Sequence, residues 1–168
     1  AYALALSGDL PASQRLAADR EKRFPEDTPV QFEYLPTLHA LSALAHQVPS
    51  DAVERLQRAV PYDFAMPGTA FFAKFGALYP AYIRGEAYLA AGRGQEAAAE
   101  FQKVLNHRGI VLADPIGALA HLQLGRAYVV LGDITKAKLA YQDFLTLWKG
   151  ADPDIPVLKQ ASAAYAKL

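Results

Sequence analysis

Between Ala118 and Phe144 the chain reads ALAHLQLGRAYVVLGDITKAKLAYQDF, two short amphipathic helices around one glycine break, and no other stretch limits the possible folds as tightly. The first helix carries Leu122, Leu124, Gly125, Tyr128 and Val129 on an apolar stripe at helical spacing. It breaks at Leu131-Gly132-Asp133, where Gly132 ends one helix and Asp133 stands ready to cap the next. The second helix sets Ile134, Ala137, Ala140, Tyr141 and Phe144 along one face and turns Lys136, Lys138, Gln142 and Asp143 outward. Helices of about three to four turns are marginal alone in water, so each stripe has to be buried against a neighbour.

The pattern recurs forty residues upstream. Gly85, Tyr88, Ala97, Phe101 and Val104 keep the order and separations of Gly125, Tyr128, Ala137, Tyr141 and Phe144, again around a glycine break, Gly92-Arg93-Gly94. A small residue, an aromatic one turn on, a small residue opening the second helix and an aromatic one turn further resembles the tetratricopeptide repeat. In such a repeat Gly85 and Gly125 let the paired helices approach closely, with Tyr88 and Tyr128 filling the space beside them. Ala97 and Ala137 are the matching small residues, and Phe101 and Tyr141 are expected to wedge between one hairpin and the next. The spacing exceeds the usual length of about 34 residues, and the surplus falls in Asn106 to Gly117.

Upstream the repetition is fainter. The opening segment, AYALALSGDLPASQRLAADREKRFP, reads as the tail of one helix, a break at Ser7-Gly8-Asp9 and a second helix closed by Pro25. With no initiator Met or signal peptide, Ala1 reads as an internal boundary of a longer polypeptide. From Thr28 to Val60 a further unit keeps the spacing through Ala40, Ala43, Ala52, Leu56 and Ala59, with Pro49 opening its second helix and Pro61 stopping it. Pro61 to Tyr79 holds prolines, glycines and the pair Phe71-Phe72, too interrupted for one helix and too aromatic for a solvated linker. After the best repeat, Val157, Ala161, Ala164 and Leu168 line the inner face of a last helix suited to cover a solenoid's end.

The expected fold is therefore all-α, a right-handed α-solenoid of antiparallel helix pairs in a single domain spanning residues 1–168. It has about three and a half tetratricopeptide-like repeats, at about 1–26, 30–60, 78–108 and 115–148, and a capping helix at about 154–167. Apolar residues make up 52% of the chain, enough for a real core in one domain of this length. Lys plus Arg and Asp plus Glu both number 17, so no charge bias points to nucleic acid or an anionic membrane. No apolar run approaches the roughly 18 residues of a membrane span. The absence of Cys removes disulfides and thiol chemistry while leaving the compartment open.

Two long stretches carry a narrower resemblance. YPAYIRGEAYLAAGRGQEAAAEFQKVLNHRGIVLADPIGALAHLQLGRAYVVLGD and KAKLAYQDFLTLWKGADPDIPVLKQASAAYAKL are similar to the C-terminal region of bacterial eukaryotic-like serine/threonine protein kinases, and related tails occur in bacterial winged-helix regulators. In those kinases a catalytic domain precedes a transmembrane helix and the repeats follow as a sensor or docking module. The resemblance thus implies a signalling role, with the repeats on the extracytoplasmic side of a membrane-anchored kinase or, otherwise, in the cytoplasm.

No catalytic, cofactor-binding or metal-binding set is legible. His107-Arg108-Gly109 and Asp114-Pro115-Ile116-Gly117 look superficially like a kinase catalytic loop and metal-binding triplet, but Gly109 replaces the catalytic Asp and the spacing is far too short. Gly92-Arg93-Gly94 follows no strand and precedes no Gly-Lys-Ser/Thr. His39 and His46 are two turns apart on one helix, beyond the reach of a shared metal. Glu96 and Glu100, one turn apart, read as solvated. A solenoid instead offers the inward faces of its first helices to a peptide or protein. Here the residues at those positions are Tyr34 and Leu41, then Tyr79, Tyr82, Glu86 and Leu89, then Leu122, Arg126 and Val129. Chaperone-tail binding is disfavoured, since the basic and asparagine clamp is missing from Tyr82, Glu86, Leu122 and Arg126. The alternative is a small-molecule sensor with Phe71, Phe72 and Phe75 around an apolar pocket.

Overall fold

A computed structural model describes residues 1–65 and 78–168, and among these the regular structure is wholly helical. The expected pocket of Phe71, Phe72 and Phe75 lies outside the described residues. The chain begins with α1 (Tyr2–Leu6) and α2 (Leu10–Arg23), the second capped by Asp9, whose carboxylate accepts from the Ala12 N–H at 3.1 Å. A π-helical turn at Val30–Tyr34 runs into α3 (Leu35–Ala45). Pro36 explains the widened turn: it has no N–H to donate, and its ring would collide with a carbonyl one turn earlier in an α-helix. Next come α4 (Pro49–Leu56) and a 3₁₀ segment, Gln57–Tyr62. The sequence extends this helix to Val60; it tightens four residues earlier because Pro61 cannot donate an α-type hydrogen bond.

The second half follows the hairpin pattern. It comprises α5 (Tyr79–Ala90), α6 (Gly94–Asn106), a single turn α7 (Arg108–Val111), α8 (Pro115–Val130), α9 (Ile134–Leu147) and α10 (Pro156–Tyr165). Gly92 and Gly132 close α5 and α8 at φ +72° and +74°, backbone that L side chains avoid. Asp133 and Asp114 cap α9 and α8 by accepting from the N–H groups of Lys136 and Ile116. Each long helix from α3 onward packs on its neighbour in the chain, with α6 reaching α8 past the short α7, and α9 carrying α10. The first helices of the hairpins also touch directly, α3 on α5 and α5 on α8. None of the described helices is long and apolar enough to cross a membrane.

The two best copies share one packing device. A Cβ placed on Gly85 would lie 2.7 Å from Phe101 Cε1, and one on Gly125 would lie 2.8 Å from Tyr141 Cδ2. Each glycine thus admits the aromatic ring of its own hairpin's second helix against the backbone of the first. The rings therefore lock a hairpin internally, where the sequence suggests a wedge between hairpins. The step from one hairpin to the next runs through Gly94, where a Cβ would meet Ala127 O and Leu131 Cγ at 3.0 Å. Beyond α9, Ala161 of α10 completes a small core with Leu122, Tyr141 and Phe144, flanked by Val157, Ala164 and Leu168.

Candidate functional site

The first helices α3, α5 and α8 bring most of the expected groove residues onto one connected seam. Tyr34 enters α3 half-buried, with its ring edge-on to Tyr2 at 6.1 Å. Tyr2 in turn stacks nearly parallel on Tyr79, 5.8 Å away, so α1 covers part of the seam. The Tyr79 hydroxyl donates to Asp114 Oδ1 at 3.2 Å, tying the start of α5 to the cap of α8. Burial, and then the Asp114 charge, push its pKa up to about 12. Leu41 and Leu89 are half-buried against the main core, and Val129 is exposed at the far end of α8.

Further along, Gln123 joins three groups. Its amide nitrogen donates to Glu86 Oε1 at 2.7 Å and reaches the Tyr82 hydroxyl at 3.4 Å, while its oxygen accepts from Arg126 Nη1 at 3.1 Å. Burial raises the Glu86 pKa against the opposing hydrogen bonds and the Arg126 charge. Burial likewise raises that of Tyr82, with the Glu86 charge adding to it. Among the described residues Arg126 makes no direct ion pair; Gln123 bridges it to Glu86, the carboxyl on which its charge acts.

Two of the expected groove residues are interior instead. Tyr82 is only 6% exposed, because the ring of Phe101 over Gly85 leaves a slot that Tyr82 fills edge-on at 5.7 Å. Leu122 is 1% exposed, enclosed by Tyr141, Phe144 and the covering α10. Neither can be the first contact of a partner.

Sequence reasoning also passed over a buried charge network. The Arg84 side chain is 1% exposed and Asp63 is 2% exposed. Arg84 Nη2 donates to Asp63 Oδ2 at 2.6 Å and to Glu100 Oε2 at 2.7 Å, and its Nη1 donates to the Leu56 carbonyl that ends α4. Lys103 donates to the same two carboxylate oxygens at 2.8 and 2.9 Å. Glu100, read from the sequence as solvated, is 14% exposed and belongs to this cluster. Among the described residues Asp63 Oδ1 and Arg84 Nε have no partner. Glu33 is buried nearby, its carboxyl pushed up to about 7 by burial and by the Asp63 charge. The available signal was register: Arg84 occupies the position that Leu124 fills forty residues on, and a charge at an apolar position of a repeat has to find a buried counter-ion. The missed partners on the seam, Tyr2 and Gln123, carried no such mark.

Among the described residues no three His, Asp or Glu side chains converge as a metal site. Comparison with family models, with curated proteins and with solved structures finds no match to this chain.

Proposed function

We propose that this chain is a tetratricopeptide-like repeat module that binds a protein or peptide along the seam of α3, α5 and α8 and performs no catalysis itself. One observation carries the reading. Adjacent first helices place partly accessible side chains at matching register: Tyr34 with Tyr79, Glu86 with Arg126, and Leu89 with Val129. Tyrosine and arginine are the residue types that dominate interface energetics, and Tyr34, Tyr79 and Arg126 supply both along the seam. The lock of glycine on aromatic ring in both well-formed hairpins supports the repeat assignment. The stretches similar to bacterial serine/threonine kinases support a role as the docking or sensing arm of such an enzyme.

The test is selection of a displayed peptide library on the intact chain, then titration of the enriched peptides. Arg126→Ala should weaken binding by roughly tenfold or more, as loss of an interface anchor does, whereas Leu139→Ala, exposed on α9, should leave it unchanged. Enrichment of no peptide, or equal loss in both variants, would refute the proposal.

A further inference from the structure

We propose that the contact between the π-helical turn and the 3₁₀ segment is a proton-operated clasp, closed while the Glu33 carboxyl is neutral and loosened when it ionises. The two pieces lie side by side. Phe32 of the turn stacks on Tyr62 of the segment with ring centroids 5.0 Å apart, and the Arg58 guanidinium lies 5.4 Å from the Phe32 ring. The residue after each stacked ring is a buried acid, Glu33 at 8% exposed and Asp63 at 3%.

The charges around this contact do not balance once Glu33 ionises. Arg84 and Lys103 each bind both Asp63 Oδ2 and Glu100 Oε2, so two cations are matched by two carboxylates. Glu33 is a third carboxylate, and among the described residues no cation forms an ion pair with it. Asp63 keeps a second oxygen, Oδ1, that no described group binds, and the Asp63 charge acts on Glu33. The other neighbours supply no counter-charge. Tyr2 of α1 and Tyr34 of the turn itself are held protonated first by burial, with the Glu33 charge adding to it. Arg20 of α2 and Asp27 ahead of the turn act on Tyr34 instead, and His39 of α3, lowered by burial, sits among Arg55, Glu21 and Asp51. An enclosed carboxyl beside a like charge keeps its proton, which accords with the rise of Glu33 to about 7 through burial and then Asp63.

The turn is also the piece with the least to hold it. Its backbone is π-helical, a local widening of a kind found at functional sites. The α1 helix, which leans on it through Tyr2, has no buried residue of its own. Segments with few buried contacts open at lower cost than a packed core. Tyr34 follows Glu33 and meets Tyr2 edge-on, so the clasp governs whether the Tyr2, Tyr34 and Tyr79 end of the seam is in place, a consequence that rests on the seam reading.

Amide hydrogen exchange of the free chain, read by mass spectrometry and corrected for the intrinsic pH dependence of exchange, tests the clasp without a partner. In wild type, segments 30–38 and 57–63 should lose protection by roughly tenfold or more between pH 5 and pH 7, because Glu33 ionises near 4.5 when released and near about 7 when enclosed. Both segments should also exchange faster than α8 and α9 at every pH. Glu33→Gln, neutral throughout, should hold them closed with no change across this range. Glu26→Gln, which removes an exposed acid from the preceding loop, should keep the wild-type behaviour. No loss of protection in wild type, the same loss in Glu33→Gln, or protection in both segments equal to that of α8 and α9 would each overturn the clasp. None of these outcomes bears on peptide binding, so the clasp and the seam fail separately.

Discussion

The contact between Gly85 and Phe101 allows a test in which two well-understood effects have opposite signs. In the middle of a helix, replacing Gly by Ala normally stabilises by about 1 kcal/mol through backbone entropy. At Gly85 the new methyl would stand 2.7 Å from Cε1, 2.8 Å from Cζ and 3.0 Å from Cδ1 of Phe101. That ring is fully buried and rests edge-on against Tyr82, so it cannot swing aside without disturbing the centre of the core. Overpacking of this kind costs about 1–3 kcal/mol, and a ring with no room to move belongs in the upper half of that range. Set against the propensity gain, Gly85→Ala should lose about 1–2 kcal/mol net. Urea unfolding followed by circular dichroism would show this as a midpoint lowered by roughly 0.5–1 M with an unchanged slope. Gly109→Ala is the control: it sits in α7 with nothing within 4 Å and no positive φ, so it should be neutral or stabilising by up to about 1 kcal/mol. Phe101→Leu removes the ring, and on that background Gly85→Ala should recover most of its cost. If Gly85→Ala raises the midpoint as Gly109→Ala does, the close approach of α5 and α6 described above is wrong.

Other perturbations follow from the same contacts. Arg84→Met strands Asp63 and Glu100 in the interior with only Lys103 for company, and should cost about 3–5 kcal/mol in chemical denaturation; a loss below about 1 kcal/mol would mean that the network is solvated. Glu33 ionises near 4.5 when unfolded and near about 7 when folded, so the folded state holds an extra proton between these values and this group's contribution to stability falls as pH rises through the window. Glu33→Gln should therefore be more stable than wild type above pH 7, with the advantage shrinking to nothing below about 4.5; an advantage independent of pH would contradict the assignment. Phe101→Ala should cost about 3–5 kcal/mol as a fully buried ring. Tyr128→Ala, which the repeat pattern alone would rank equally, should cost only about 1–2 kcal/mol, because its ring is half-buried with the Lys136 ammonium 5.5 Å above it.

The charge network around Arg84 bears on how α4 and the 3₁₀ segment that follows it meet the second half of the fold. Arg84 binds the last carbonyl of α4 and the carboxylate of Asp63, just beyond the 3₁₀ segment, while Glu100 and Lys103 extend the contact to α6. A buried ion cluster of this kind adds little stability relative to apolar packing, but loss of one partner leaves a buried charge uncompensated. It joins the end of α4 and Asp63 to both helices of the α5–α6 hairpin.

Helices, breaks and caps were legible in the chain itself, because they are local: Gly92 and Gly132 stop their helices by backbone freedom, and Asp114 and Asp133 start theirs by accepting nearby N–H groups. The inner face of α10 was legible for the same reason, as a period of apolar residues. Equivalent repeat positions could not reveal which groove residues stay accessible. Tyr82 and Leu122 hold equivalent places on α5 and α8, with Glu86 and Arg126 one turn on; the first pair is enclosed and the second half open, and only the rings of Phe101 and Tyr141 and the covering α10 separate them. The pairing of Arg84 with Asp63 and the role of Gln123 between Glu86 and Arg126 join residues far apart in sequence. Local hydrogen bonding and apolar periodicity decide where a helix runs. Which charges are buried, and which are left to meet a partner, depends on distances that exist only once the helices have packed.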